Sequence, residues 1–166
     1  EQPGQPSTYT SYSYDFTLET ANSDDADVTI GSDIKTDETF GNGKFTYVVG
    51  STSKGKIESS DKGLRLKAVD QSLSFVIEAD AELIIVVRNA KSGEGRLIVL
   101  NSTAEGWTQD AFEKGSNTAN NGGVAVADGN YVTVTYASVK AGTYTFTAGG
   151  TAPGDVNVCE IYVNYK

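Results

Sequence analysis

Basic residues cluster in one segment of an otherwise acidic chain. The whole chain carries a net charge of −9, yet between residues 44 and 67 six lysines and arginines stand against two acids, which leaves +4. Arginine and lysine head groups bind carboxylates through charge-assisted hydrogen bonds, which are stronger than neutral ones. The segment is therefore suited to an anionic ligand, and the candidate residues within it and after it are Lys56, Arg65, Lys67, Arg88 and Arg96.

Local spacing predicts that two of these residues share one side of a strand. Leu64-Arg65-Leu66-Lys67-Ala68 alternates apolar and basic residues, which is the period of a strand with one buried face. Arg65 and Lys67 would then project from the opposite face, about 6.6 Å apart. A basic strand face of this kind is also compatible with simple solvation and no ligand.

Aromatic side chains are the second candidate chemistry, because their rings can stack on the faces of sugar rings. Trp107 is the single tryptophan, and it lies in a long polar segment, residues 101–123, where the strand periodicity is lost. Irregular segments of this length in compact domains are often functional. Tyr131 and Tyr136 are further candidates, although aromatic residues that alternate along strands usually pack in a core. A short helical turn is predicted at residues 109–114.

The residues that the chain lacks exclude several classes of enzyme. There is no histidine, which excludes Ser-His-Asp and Cys-His nucleophile systems and zinc sites with histidine ligands. No glycine-rich loop leads from a strand into a helix, so a nucleotide site has no scaffold. Carboxylates are numerous, but they cluster in turns, where Asp is favoured for local backbone hydrogen bonds. We therefore expect a protein that is not an enzyme and carries no cofactor.

Two smaller features concern metal and redox chemistry. The segment Asp24-Asp25-Ala26-Asp27 leaves a structural calcium ion open as an alternative, since hard cations take carboxylate oxygens. It lacks the spacing of a calcium-binding loop, which favours a plain acidic loop. The single cysteine, Cys159, excludes an internal disulfide, and its alternating surroundings predict a buried, inert thiol.

The elements that position these groups are predicted to be strands, because the chain is rich in Thr, Ser, Gly and Tyr and has no sustained helical period. The run at residues 83–88 is apolar on both faces and predicts a central strand, with residues 96–100 as its neighbour across a Gly-containing connection. About ten short strands predict an all-β fold, a two-sheet antiparallel β-sandwich of jelly-roll type. The predicted strands are residues 12–18, 44–49, 64–68, 73–77, 83–88, 96–100, 124–126, 131–136, 143–147 and 156–165.

Composition along the chain also predicts its organisation. Residues 1–10 have the Pro, Gly, Gln and Ser bias of a linker, which leaves residues 11–166 as a single module of a larger multidomain protein. No apolar run reaches 18 residues, so a membrane-spanning helix is not expected. The acidic net charge argues against a nucleic-acid partner. We expect a secreted bacterial module that is monomeric and has neither nucleic acid nor membrane as a partner.

Several short motifs occur in an order that resembles a known family. They are Gly63-Leu64-Arg65-Leu66-Lys67, Ser72-Leu73-Ser74-Phe75, Glu82-Leu83-Ile84-Ile85-Val86-Val87 and Ala141-Gly142-Thr143-Tyr144-Thr145-Phe146-Thr147, preceded by Tyr14-Asp15-Phe16. This order resembles the β-sandwich domains appended to bacterial pectate lyases, in particular the pectin-binding carbohydrate-binding module family 77. The resemblance implies a non-catalytic domain that directs its enzyme to homogalacturonan through basic side chains on one face. Arg65 stands where such domains carry lysine, and Ala148 stands where a further basic residue is expected.

Three functions are compatible with the sequence. The basic segment favours a module that binds an acidic plant cell-wall polysaccharide, pectin or homogalacturonan, and so assists cell-wall degradation by an attached enzyme. Stacking on Trp107 would instead suit a neutral glycan of the β-glucan or xylan type. The third alternative is a structural or adhesive domain of the cell surface.

Overall fold

The computed structural model describes residues 8–25, 28–89 and 95–166, which form β-strands and turns. Among these residues, no helix has the length and apolar character needed to cross a membrane. Fourteen strands occur in the described part of the chain: β1 (Tyr12–Asp15), β2 (Asp33–Ile34), β3 (Glu38–Phe40), β4 (Phe45–Val48), β5 (Gly55–Glu58), β6 (Gly63–Leu66), β7 (Ser72–Ile77), β8 (Ala81–Asn89), β9 (Leu97–Ser102), β10 (Asp110–Phe112), β11 (Gly123–Asp128), β12 (Tyr131–Val139), β13 (Gly142–Gly149) and β14 (Val156–Tyr165).

These strands form two antiparallel sheets. Sheet A has the order β11-β12-β8-β14-β6-β5-β2, with β1 also paired to β14, and sheet B has the order β10-β9-β13-β7-β4-β3. The chain crosses between the sheets at each step from β6 to β9 and again from β12 to β14. The two four-stranded sets β12-β8-β14-β6 and β10-β9-β13-β7 are therefore connected as in a jelly roll. The predicted two-sheet antiparallel β-sandwich is confirmed.

Alternation along the strands builds the core between the sheets. In β8 the side chains of Ala81, Leu83, Ile85 and Val87 are buried, whereas the residues between them are only half-buried. Sheet B contributes aromatic rings, with the ring centroid of Phe75 lying 5.6 Å from that of Tyr144. Burying one large apolar side chain contributes about 1.5–3 kcal/mol, so this shared core is the main source of stability.

Strand β14 connects most of sheet A. Its first residues pair with β6, its later residues pair with β1, and its other edge pairs with β8 throughout. The register with β8 shifts between Val158 and Glu160, which makes Cys159 the extra residue of a β-bulge. Gly63 of β6 packs against this bulge with a φ of +83°, and a Cβ there would lie 2.4 Å from the carbonyl oxygen of Val158. Only glycine fits both requirements.

Two local predictions are wrong. Residues 96–100 do not form the neighbour of β8, because β9 lies in sheet B between β10 and β13, and β8 lies in sheet A between β12 and β14. The interior position of β8 is confirmed, but the chain crosses between the sheets after it, and residues 90–94 of that connection lie outside the described residues. The helical turn predicted at residues 109–114 is instead strand β10, because Asp110 and Phe112 alternate inward with the period of a strand.

A buried carboxylate organises the long polar segment of residues 101–123. Asp110 is 1% exposed, and its Oδ2 accepts hydrogen bonds from the Tyr136 hydroxyl at 2.7 Å and from Asn121 Nδ2 at 3.1 Å. Its Oδ1 accepts a hydrogen bond from the Asn120 backbone N–H. Burial, together with the bond to Asp110, holds the pKa of Tyr136 well above its ordinary value. The segment is thus anchored to β12 by hydrogen bonds.

Candidate functional site

Three of the predicted basic residues lie in one row across the outer face of sheet A. Lys56 of β5 pairs with Arg65 of β6, Arg65 pairs with Asn157 of β14, and Asn157 pairs with Arg88 of β8. Neighbouring strands are about 4.8 Å apart, so Lys56 adjoins Arg65, and Arg88 follows about 10 Å further along the row. We call Lys56, Arg65, Asn157 and Arg88 the basic row.

Tyr131 extends the basic row at its Arg88 end. It pairs with Arg88 across β12 and β8, and its ring centroid lies 5.5 Å from the Arg88 guanidinium carbon. The Tyr131 hydroxyl donates to the carbonyl oxygen of Asp61 at 2.9 Å, which ties the ring to the turn between β5 and β6. A cation above an aromatic face is attracted by the ring quadrupole. Tyr131 therefore covers Arg88 and holds its side chain in place.

Two members of the basic row already have acidic partners. Lys56 Nζ lies 3.5 Å from Asp33 Oδ1, and Arg65 Nη1 lies 3.8 Å from Glu58 Oε1. Asp33 also accepts a hydrogen bond from Lys54, which is the main reason that the pKa of its carboxyl group is lowered. An anionic ligand would have to share these cations with Asp33 and Glu58. The acids orient the basic side chains and at the same time reduce the local positive charge.

Arg88 differs from the other two cations in its environment. Its Nε and Nη1 atoms are both buried and have no hydrogen-bond partner in the described part of the chain, whereas in Arg65 this holds for Nε alone. Buried guanidinium nitrogens without an acceptor are unfavourable, and because Nε and Nη1 lie on different edges of the guanidinium, one carboxylate oxygen could satisfy one of them and not both. Because the Tyr131 ring lies over Arg88, a ligand reaches those nitrogens only when this ring moves aside.

The other basic candidates lie outside the row. Lys67 is exposed and follows the last residue of β6, with its backbone N–H bonded to Gln71 Oε1 at 2.7 Å. Arg96 precedes β9, and its Nη1 contacts Asp155 Oδ2 at 3.2 Å and the Gly154 carbonyl oxygen at 3.4 Å. Arg96 therefore joins the start of β9 in sheet B to the turn that precedes β14 in sheet A, which is a structural role.

Trp107 lies away from the basic row and packs on the core. Its ring centroid is 5.1 Å from that of Tyr144 and 5.5 Å from that of Tyr136, and its Nε1 donates to the Leu100 carbonyl oxygen at 3.4 Å. Tyr136 pairs with Leu83, five residues before Arg88 in β8, a distance of about 16 Å along the strand. The half-buried indole borders a small depression of about 170 Å³. Trp107 and the basic row therefore do not form one site.

In the acidic segment 24–27, for which calcium binding was an alternative, the carboxylate of Asp24 has a structural role. Asp24 accepts hydrogen bonds from the backbone N–H groups of Asn42 and Gly43, at 3.0 and 2.6 Å. Its carboxylate thereby holds the turn between β3 and β4, where Asn42 and Gly43 both have positive φ. The described residues contain no group of three or more metal-binding side chains, and Ala26 and Asp27 lie outside them.

The outer face of sheet B contains a groove that is not among the sites predicted from the sequence. It has a volume of about 360 Å³ and is lined by hydroxyl and amide side chains, among them Asn101, Gln109, Thr143, Thr145 and Thr147. The signal for it in the sequence is the Thr-x-Thr-x-Thr pattern of β13, which places three hydroxyls on one face of a strand.

Cys159 is buried, as predicted, and we expect it to be inert in the folded protein. Its Sγ lies 3.4 Å from the Lys62 carbonyl oxygen, and burial raises the pKa of the thiol to about 12. The reactive thiolate is therefore almost absent near pH 8. We predict no reaction with an aromatic disulfide reagent at that pH until denaturant is added, followed by full release of one thiol equivalent. Rapid labelling without denaturant would contradict both the burial and the raised pKa.

Comparison with known proteins identifies no family. No protein-family model matches the sequence, and no curated protein matches it. A solved structure from work on glycan recognition in the Ruminococcus flavefaciens cellulosome aligns over 95% of this chain and 95% of its own, with 16% sequence identity and a TM-score of 0.36. Similarity at that level does not establish a common function.

Proposed function

We propose that this protein is a non-catalytic carbohydrate-binding module that binds an acidic plant cell-wall polysaccharide of the pectin type, such as homogalacturonan, through the basic row. The basic row itself supports the proposal most directly. Lys56, Arg65 and Arg88 lie in one row on the outer face of sheet A, so one extended chain that crosses the strands would meet Lys56 and Arg65, and also Arg88 once the Tyr131 ring moves aside. Asn157 lies between the two arginines, but it is buried, and its amide donates to Glu58 Oε2 and to the Gly63 carbonyl oxygen.

The charges around the basic row determine what kind of binding we expect. Arg88 has two buried nitrogens without acceptors, so it gains most from a ligand carboxylate. Asp33 and Glu58 compensate Lys56 and Arg65, which makes the affinity modest. Interactions between partly exposed charges weaken as salt is added. The proposed complex is therefore weak and salt-sensitive.

In this proposal the module acts in association with an enzyme. Residues 1–10 serve as a linker to the remainder of a larger secreted bacterial protein, and residues 11–166 are one monomeric binding unit. Cell-wall degradation is carried out by the attached catalytic domain, and the module keeps that domain close to its substrate. No step of bond cleavage is assigned to the residues of this chain.

The test is affinity electrophoresis in native gels with and without polygalacturonate. We expect the protein to be retarded at low salt. The double variant Arg65→Glu/Arg88→Glu should be retarded much less, corresponding to an affinity about tenfold lower or more, because the reversed charge repels the ligand carboxylates. The matched control is Lys114→Glu/Lys140→Glu, which changes the net charge equally on side chains that are exposed and outside the basic row.

Two outcomes would count against the proposal. If the unmodified protein migrates freely at low salt, the chain does not bind this polysaccharide, and a structural or adhesive role becomes the better explanation. If both double variants weaken retardation equally, net charge and not the basic row governs binding.

A further inference from the structure

The outer face of sheet B differs from that of sheet A in having no charged residue at its paired outward positions. Thr46, Ser74, Thr145 and Asn101 lie side by side on β4, β7, β13 and β9. The acids in the strands of this sheet, Glu38 and Asp110, occupy inward registers opposite Tyr47 and Leu100. In a chain of net charge −9, a sheet face whose paired outward positions hold only neutral residues is a distinct surface, in which hydroxyl and amide side chains lie beside apolar ones such as Val76 and Val99.

A groove runs over this face along β13. Its volume is about 360 Å³, and Thr143, Thr145 and Thr147 line it on one strand, with Asn101 and Gln109 beside them. The span from Thr143 to Thr147 is about 13 Å at the usual strand rise. That length accommodates a short segment of an extended chain molecule.

Several polar groups in the groove have no partner among the described residues. The Nδ2 group of Asn101, the side-chain amide of Gln109 and the hydroxyls of Thr143 and Thr147 form no hydrogen bond there. Two other groups are engaged, since the Thr145 hydroxyl lies 3.0 Å from that of Ser74 and Asn101 Oδ1 accepts from the Ser102 N–H at 3.0 Å. The free groups include both donors and acceptors.

We infer that this groove is a second binding site, for an uncharged oligosaccharide chain. Sugar hydroxyls both donate and accept hydrogen bonds, which matches amide and hydroxyl side chains one to one. The absence of charge from the face removes any electrostatic preference for an ionic ligand. The groove lining includes Val99 but no aromatic ring, so hydrogen bonds and not ring stacking provide the affinity, which is consequently low and insensitive to salt.

The site is independent of the function proposed for the basic row. The two outer faces point away from each other across the core, so one molecule can occupy both at once. A polysaccharide with acidic and neutral regions, or two different chains, would then be held on opposite sides of one module.

The test uses native gels that contain hydroxyethylcellulose, xyloglucan, β-1,4-galactan or glucomannan as probes. We expect retardation by at least one of them, unchanged at roughly 0.5 M NaCl, where exposed charges are screened. The variant Thr143→Val/Thr145→Val/Thr147→Val keeps β-branched side chains but removes the hydroxyls, and it should weaken that retardation at least fivefold. The control Thr133→Val/Thr135→Val makes the same kind of change at two positions of β12, on the outer face of sheet A, and should have no effect.

Each result decides the inference on its own. Free migration in all four gels overturns it, as does equal retardation of the triple-valine variant and the unmodified protein. Circular dichroism confirms that the variants are folded. The polygalacturonate gel with the Arg65→Glu/Arg88→Glu variant tests the basic row separately, so either site can fail without the other.

Discussion

Replacing Asp110 by alanine is expected to lower the free energy of unfolding by about 3 kcal/mol or more. The substitution leaves three donors without their acceptor, namely the Tyr136 hydroxyl, the Asn121 amide and the Asn120 backbone N–H. An unsatisfied buried polar group costs about 1–3 kcal/mol, and the Tyr136 side chain has no exposure to solvent. A whole domain is stable by about 5–15 kcal/mol, so the loss is a large fraction of the total.

Urea unfolding followed by tryptophan fluorescence measures this effect, since Trp107 packs directly on Tyr136. Asp128→Ala is the matched control, because Asp128 is an exposed aspartate at the end of β11. We expect the control to stay within about 0.5 kcal/mol of the unmodified protein. Equal destabilisation by the two variants would show that the buried hydrogen bonds of Asp110 do not anchor the segment.

Gly63→Ala is expected to have a similarly large effect, for a steric reason. A Cβ at Gly63 would lie 2.4 Å from the Val158 carbonyl oxygen and 2.9 Å from the Cys159 Cα, and both are backbone atoms of β14 that cannot rotate away. The backbone would also have to keep a φ of +83°, which is unfavourable for alanine. We expect a loss of about 3 kcal/mol or more, since both overpacking and backbone strain contribute.

Gly129→Ala separates these two causes. Gly129 also has a positive φ, +60°, but a Cβ there meets no atom within 4 Å. Its substitution should therefore cost only the conformational part, about 1 kcal/mol. Thermal and urea unfolding of the two variants provide the comparison. If Gly129→Ala is as harmful as Gly63→Ala, the contact with β14 is not the source of the effect.

The strands could be predicted from the sequence because they depend on local pattern. The alternation in β6 and β13 and the continuous apolar run of β8 each reflect which faces of a strand are covered, and the structure confirms these strands. The partner of β8 could not be predicted in the same way. Strands that are adjacent in a sequence often form a hairpin, but in this fold the chain crosses to sheet B after β8. The apolar side chains of β9 are buried in the shared core from sheet B as well as they would be from sheet A.

The candidate site was predictable only in part, for a related reason. Arg65 was identified from its own strand, but its position beside Arg88 depends on β14, which inserts between β6 and β8 from far along the chain. The role of Arg96 depends on Asp155, 59 residues away. Strand pairing and ion pairs between residues far apart in the sequence do not affect the local alternation of apolar and polar residues. Neither arrangement could therefore be predicted from residue spacing.

The position of β14 also determines when this domain can fold during synthesis. Tyr12 of β1 pairs with Val163, and β6 and β8 meet through Val156, Asn157 and Val158. The centre of sheet A is therefore missing until the ribosome has made and released the final strand of the domain. Until then the backbone N–H and C=O groups of β6 and β8 that face β14 are unpaired on the nascent chain, a state that is prone to aggregation. A chaperone that shields these edges would protect the chain during that interval.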